Sequence, residues 1–137
     1  MSTKITSTYL GDLDCEAIHE PSGSKITTTA PPDNQGRGDK FSPTDLVATA
    51  LGTCYLTLMG ISARGHDIKM EGTKATVEKI MSEDKPRRIA KFVVTIDFCK
   101  GIPFNHRGLL EAVALNCPTA KSLHPDVVIE SEFNYPD

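Results

Sequence analysis

Apolar and polar residues alternate with a period of two at the start of the chain, then give way to a helical pattern. Leu13, Cys15 and Ala17 interleave with Asp12, Asp14 and Glu16, the signature of a half-buried strand, and weaker flanking strands are predicted over Ile5 to Leu10 and Lys25 to Thr29. Pro21-Ser22-Gly23 supplies the turn between the second and third strands, and a loop rich in proline and glycine runs from Ala30 to Ser42. At Pro43 a helix is predicted, reaching Arg64-Gly65. Ser42 is its N-cap, Pro43 takes the first helical position, Asp45 sits in the first turn, and the terminal arginine and glycine form a suitable stop. Leu46, Val47, Leu51, Cys54, Tyr55, Leu58, Met59 and Ile61 leave this helix almost no polar face, as expected of a helix surrounded by protein.

Beyond Gly65 the period of two returns. One strand is predicted from about Ile68 to Ile80 and another from about Ile89 to Cys99, the latter with Phe92, Val94, Ile96 and Phe98 on one face. Pro103 and Asn105 open a second helix, in which Leu109 and Val113, and Leu110 and Ala114, are spaced i, i+4. Cys117-Pro118 interrupts it, a short helix runs from Pro118 to Leu123, and Val127, Ile129 and Phe133 mark a last strand. The order βββ-α-ββ-αα-β predicts an α+β fold with antiparallel sheets packed on a long buried central helix. One sheet covers only one face of such a helix, so a second copy of the chain is expected on the other, in a homodimer. Thr49, Gly52, Thr53, Thr57, Gly60 and Ser62 keep the uninterrupted apolar run below the roughly 18 residues of a membrane span, and no membrane partner is expected.

A length of 137 residues predicts a single domain, 1–137, with a core that needs no covalent staples. A net charge of -3 without any Lys/Arg stripe argues against a nucleic-acid partner. The N-terminal segment Met-Ser-Thr-Lys-Ile-Thr has neither an apolar region nor a small-residue cleavage site, so a cytoplasmic location is expected, where the 4 cysteines would be thiols. They lack zinc-ligand spacing, and His19, His66, His106 and His124 are scattered over predicted loops and element ends, so no metal site is expected. No phosphate-cradling glycine loop follows a strand, and no cofactor is expected.

Cys117, placed by Pro118 at a helix N-cap, has the better local case for a lowered pKa. Cys54 lies in mid-helix, where its neighbours alone raise its pKa and make it inert unless a donor arrives from elsewhere in the fold. Cys15 and Cys99, on strands, read as packing residues.

Ser42-Pro43-Thr44-Asp45-Leu46, followed by Ala48, Ala50, Leu51, Gly52 and Cys54, resembles the central-helix motif of the osmotically inducible protein C (OsmC) and organic hydroperoxide resistance (Ohr) family. Asn116-Cys117-Pro118-Thr119-Ala120-Lys121-Ser122-Leu123 is similar to that family's second-cysteine motif, and the order of strands and helices matches over nearly the whole chain. The resemblance implies an intertwined homodimer acting as a thiol peroxidase on organic hydroperoxides. Cys54 would be the attacking thiolate, Cys117 would resolve its sulfenic acid as a disulfide, and an external dithiol would reset the pair without a cofactor. The family pairs its thiolate with an arginine, itself oriented by a glutamate just after the motif proline. Here Thr44 occupies the glutamate position, and Arg37, the only arginine before the central helix, is assigned to activate Cys54. Asp45 lies about 180° around the helix from Cys54 and points elsewhere. A second reading, favoured by Thr44, keeps scaffold and cysteines without efficient peroxide turnover, as a redox-responsive or small-ligand-binding protein. A third leaves both cysteines as packing residues.

Overall fold

The computed structural model describes residues 1–137, which divide into two compact units, Met1–Leu46 and Val47–Asp137. In the first unit, β1 (Ile5–Gly11), β2 (Asp14–His19) and β3 (Lys25–Thr28) form an antiparallel sheet in the order β1-β2-β3. The tight β1–β2 turn carries positive φ at Gly11, Asp12 and Leu13. Glycine adopts this backbone freely and aspartate tolerates it, whereas at Leu13 it is strained. After β3 the loop from Ala30 to Phe41 leads into the first turn of α1 (Pro43–Gly65), with the Thr29 N–H donating to the Phe41 carbonyl at 3.0 Å.

Ser42 caps α1 as its sequence suggests. The Asp45 N–H donates to Ser42 Oγ at 3.1 Å and the Ser42 N–H donates to the Asp45 carboxylate at 2.9 Å, a reciprocal capping box in which aspartate takes the usual place of glutamate. This fixes Asp45 at the helix start.

The second unit is built on the sheet β4-β5-β6, with β4 (Lys74–Met81), β5 (Ile89–Asp97) and β6 (Val128–Asn134). Between β5 and β6 lie α2 (Phe104–Leu115) and α3 (Pro118–Lys121). Two expectations are corrected. The strand expected from Ile68 begins only at Lys74, because Ile68 and Met70 lie in an irregular segment between two turns, half-buried against the core. The sheet is also not wholly antiparallel: β4 and β5 are, but β6 pairs in parallel with β5, from Lys91 opposite Val128 to Asp97 opposite Asn134. A parallel neighbour requires a crossover connection, and α2 and α3 provide it.

The core joins one stripe of α1, Ala48, Leu51, Tyr55, Met59 and Ala63, to Phe92, Val94 and Ile96 of β5 and Leu110 and Ala114 of α2. Gly52 belongs to the same stripe for a steric reason: a Cβ there would come within 2.9 Å of Val77 Cγ2 and 3.5 Å of Ala75 Cβ on β4. The opposite stripe, Thr49, Ala50, Thr53, Thr57 and Ile61, is exposed in the single chain, so the helix is enclosed on one side only. It is long and apolar enough to cross a membrane by length and composition, yet its most apolar window is 33% buried by the chain's own core.

Candidate functional site

Cys117 stands at the N-cap of α3, fully buried, and its sulfur accepts the Ala120 N–H at 3.5 Å. The crossover brings it beside Cys54 on α1, close enough for each thiol to perturb the ionisation of the other. Burial pushes Cys54 up, but the Cys117 S–H and the backbone N–H and hydroxyl of Thr119 all donate to its sulfur, and the balance lowers its pKa. Cys117 moves the other way: burial raises it, donation to Cys54 raises it further, and the Ala120 N–H offsets only part of this. The local argument from sequence, which gave the helix N-cap thiol the lower pKa, is therefore reversed. Cys117 and Thr119 favour the thiolate at Cys54, while burial and the neighbouring Cys54 keep the capping thiol protonated.

Below the pair, Tyr55 is 1% exposed and its hydroxyl shares a 2.8 Å hydrogen bond with Ser131 Oγ of β6. Burial raises the Tyr55 pKa, Ser131 offsets part of this, and the nearby charges of Cys117 and Cys54 raise it further. It is thus held as a neutral phenol in the wall beside the sulfurs. Cys15 and Cys99 lie apart from the pair, on β2 and just after β5. The Cys99 thiol donates to the Lys69 carbonyl at 3.6 Å, a packing role.

Arg37, assigned by the sequence to activation, is gripped inside the first unit. Its NH1 donates to the Asp12 carboxylate at 2.7 Å and carbonyl at 3.1 Å, NH2 to Asp14 at 2.7 Å, and Nε to Asp39 at 3.3 Å. Lys40 joins Asp14 at 3.0 Å. The Asp14 carboxyl is held far below the usual carboxylate range by the Thr29 hydroxyl, the Lys40 ammonium and the Arg37 guanidinium, in that order. The flanking glycines shape the loop: a Cβ on Gly36 would collide with the Ala30 carbonyl, and Gly38, at φ +71, packs on Pro32 Cγ. The two glycines let the backbone lie against Ala30 and Pro32 while Arg37 between them reaches the acidic turn.

Thr119 and the trio Asp12, Asp14 and Asp39 are the polar contributors that the sequence left without a role. Thr119 had a signal, since two residues beyond an N-cap cysteine is where a helix presents free N–H groups. The acidic trio had none, because its meaning depends on where the loop returns.

The model of the family described as OsmC-like protein matches residues 36–132. The chain belongs to the OsmC-like family. A Psychrobacter arcticus 273-4 structure, provisionally named an osmotic stress induced and detoxification response protein, is 42% identical, with 98% of this chain and 96% of that one covered at a TM-score of 0.88. The organic hydroperoxide resistance protein OsmC of Legionella pneumophila shares the fold at 18% identity, with 98% and 97% coverage and a TM-score of 0.75. An OsmC-like protein of Mycoplasma pneumoniae does so at 15% identity, with 98% and 97% coverage and a TM-score of 0.81. No curated protein matches the chain.

Within this site, Thr119→Val removes the hydroxyl but keeps the backbone donor. The midpoint of Cys54 alkylation against pH is expected to move upward. A lowered pKa keeps the thiolate populated down to a lower pH, so losing one donor reduces the thiolate fraction at neutral pH and slows alkylation there. Arg37→Ala in the same titration reports whether the guanidinium adds to this effect.

Proposed function

We propose that this chain, as one OsmC-like domain of 137 residues, is a thiol peroxidase that reduces organic hydroperoxides in the cytoplasm as a homodimer. The observation that carries the reading is the placement of Cys117, at the N-cap of α3, beside Cys54 of α1, in surroundings that favour the thiolate at Cys54 and the protonated thiol at Cys117. A nucleophile and a protonated resolving thiol need those two states.

The Cys54 thiolate attacks the terminal peroxide oxygen. The O–O bond breaks, the alkoxide leaves and takes a proton from water, and Cys54 becomes a sulfenic acid with sulfur oxidised by two electrons. The Cys117 sulfur then attacks Cys54, its proton combines with the departing hydroxide as water, and a disulfide forms. An external dithiol exchanges with that disulfide, taking up the oxidation and returning both thiols. Arg37 activates Cys54 in this scheme, held ready by its carboxylates. The half-buried position of Cys54 against the apolar core favours organic over hydrogen peroxide in this reading. The homodimer is supported by the exposed stripe of α1 ending at Ile61, which is 62% exposed in the single chain.

In the test, reduced protein is mixed with cumene hydroperoxide or hydrogen peroxide and a dithiol, and peroxide loss is followed. Sustained turnover, faster with the organic peroxide, is the expected result. One equivalent consumed with no turnover would instead support the second reading, a redox-responsive protein, which Thr44 and the threefold engagement of Arg37 favour.

A further inference from the structure

Two histidines that are far apart in sequence meet where the end of α1 approaches the start of α2. The His66 and His106 rings lie 5.0 Å apart between centroids, tilted by 59°. His66 Nδ1 faces the Ser62 carbonyl at 2.9 Å and His106 Nδ1 faces Asn105 Oδ1 at 3.1 Å. Both partner oxygens accept, so in the neutral ring Nδ1 is the donor and Nε2 is left with its lone pair. An outer hydrogen bond from the far nitrogen, fixing tautomer and ring orientation, is the usual support of a metal-bound imidazole. The spacing fits as well: two imidazoles bound at about 2.0–2.1 Å to one tetrahedral ion hold their ring centres about 5 Å apart.

We propose that His66 and His106 form a binding site for one divalent first-row transition ion of the Ni2+, Cu2+ or Zn2+ type, through both Nε2 atoms. Imidazole pairs suit these ions and not Ca2+ or Mg2+, which require oxygen ligands. Water completes the coordination, because no group of three or more His, Cys, Asp or Glu side chains gathers anywhere in the chain. His66 is exposed and His106 half-buried, so the ion enters directly from solvent. Sequence reading scattered these histidines over loops and element ends; packing of the two helix termini unites this pair, and leaves His19 and His124 elsewhere as internal controls.

The test uses Ni2+ as a paramagnetic probe on reduced, nitrogen-15-labelled protein. The imidazole resonances of His66 and His106 are expected to broaden together at substoichiometric Ni2+, before those of His19 and His124. His66→Ala and His106→Ala should each weaken Ni2+ affinity by at least about tenfold in calorimetric titration, the lower end of what even an outer-shell loss costs. Asn105→Ala, which leaves both ligands in place, should weaken it less. Uniform broadening of all four histidines, broadening of cysteine neighbours alone, or unchanged affinity in both histidine variants would overturn the site.

Discussion

Cys54→Ser is expected to abolish peroxide consumption, with a loss of at least about a thousandfold in rate. A serine hydroxyl in the same place has no accessible anion at neutral pH, so the Thr119 donors that stabilise a thiolate have nothing to stabilise. Cys117→Ser should behave differently. Cys54 still attacks, one equivalent of organic peroxide is consumed, and a sulfenic acid accumulates that a dimedone-type probe labels and mass spectrometry locates. Turnover with a dithiol slows because the internal disulfide cannot form. Cys117→Ser keeps an O–H donor at that position, so its first equivalent should be consumed at a rate close to the wild type, whereas Cys117→Ala, which removes the donor, should consume it more slowly. Equal rates for Cys54→Ser and wild type would remove Cys54 from the mechanism, whatever Cys117 does.

The largest effect on stability is expected from Phe92→Ala. Phe92 is 0% exposed on the central strand of the second sheet, between Lys79 and Ile129 in register, and belongs to the cluster that seats Leu51, Tyr55 and Met59. Removing its ring loses transfer free energy and leaves a cavity that neighbouring strands cannot collapse into, for a cost of about 3–5 kcal/mol. Thermal unfolding followed by circular dichroism should show a fall in Tm on the order of 10 °C or more. Leu115→Ala, at a position 51% exposed, should change stability by no more than about 0.5 kcal/mol. If both substitutions had similar small effects, the core would not be centred on β5.

The elements legible in the sequence are those whose patterns are local. Ser42, Pro43 and Asp45 mark the start of α1 because capping is settled within one turn, and the alternation of Phe92, Val94 and Ile96 marks β5 because a half-buried strand repeats every two residues. The direction of β6 was not legible: Ile129 and Phe133 alternate identically whether the strand runs with or against β5. Nor was the start of β4, since Ile68 and Met70 are buried by packing alone and extend an apolar pattern beyond the ladder. At the site, Cys54 and Cys117 stood out through motifs, but their relative acidity did not. A helix-end effect can be read from Pro118, whereas the donation from Cys117 and Thr119 to Cys54 exists only once the crossover has closed. Arg37 was legible as an isolated charge between glycines, and its three carboxylate partners were not, because Asp12 and Asp14 reach it across more than twenty residues of chain.

The parallel pairing of β6 has a consequence for when the molecule becomes reactive. Cys117 rides on the crossover between β5 and β6, and the first matched pair of that ladder, Lys91 with Val128, joins positions roughly 40 residues apart. Such a closure is entropically expensive and forms late. A growing polypeptide on the ribosome therefore presents Cys54 well before its sulfur partner and Thr119 are clamped in place. During that interval Cys54 lacks the donors that lower its pKa and stays a poorly reactive thiol. In the proposed peroxidase, folding would thus set a delay in which the attacking cysteine gains its activating neighbours only together with its resolving partner.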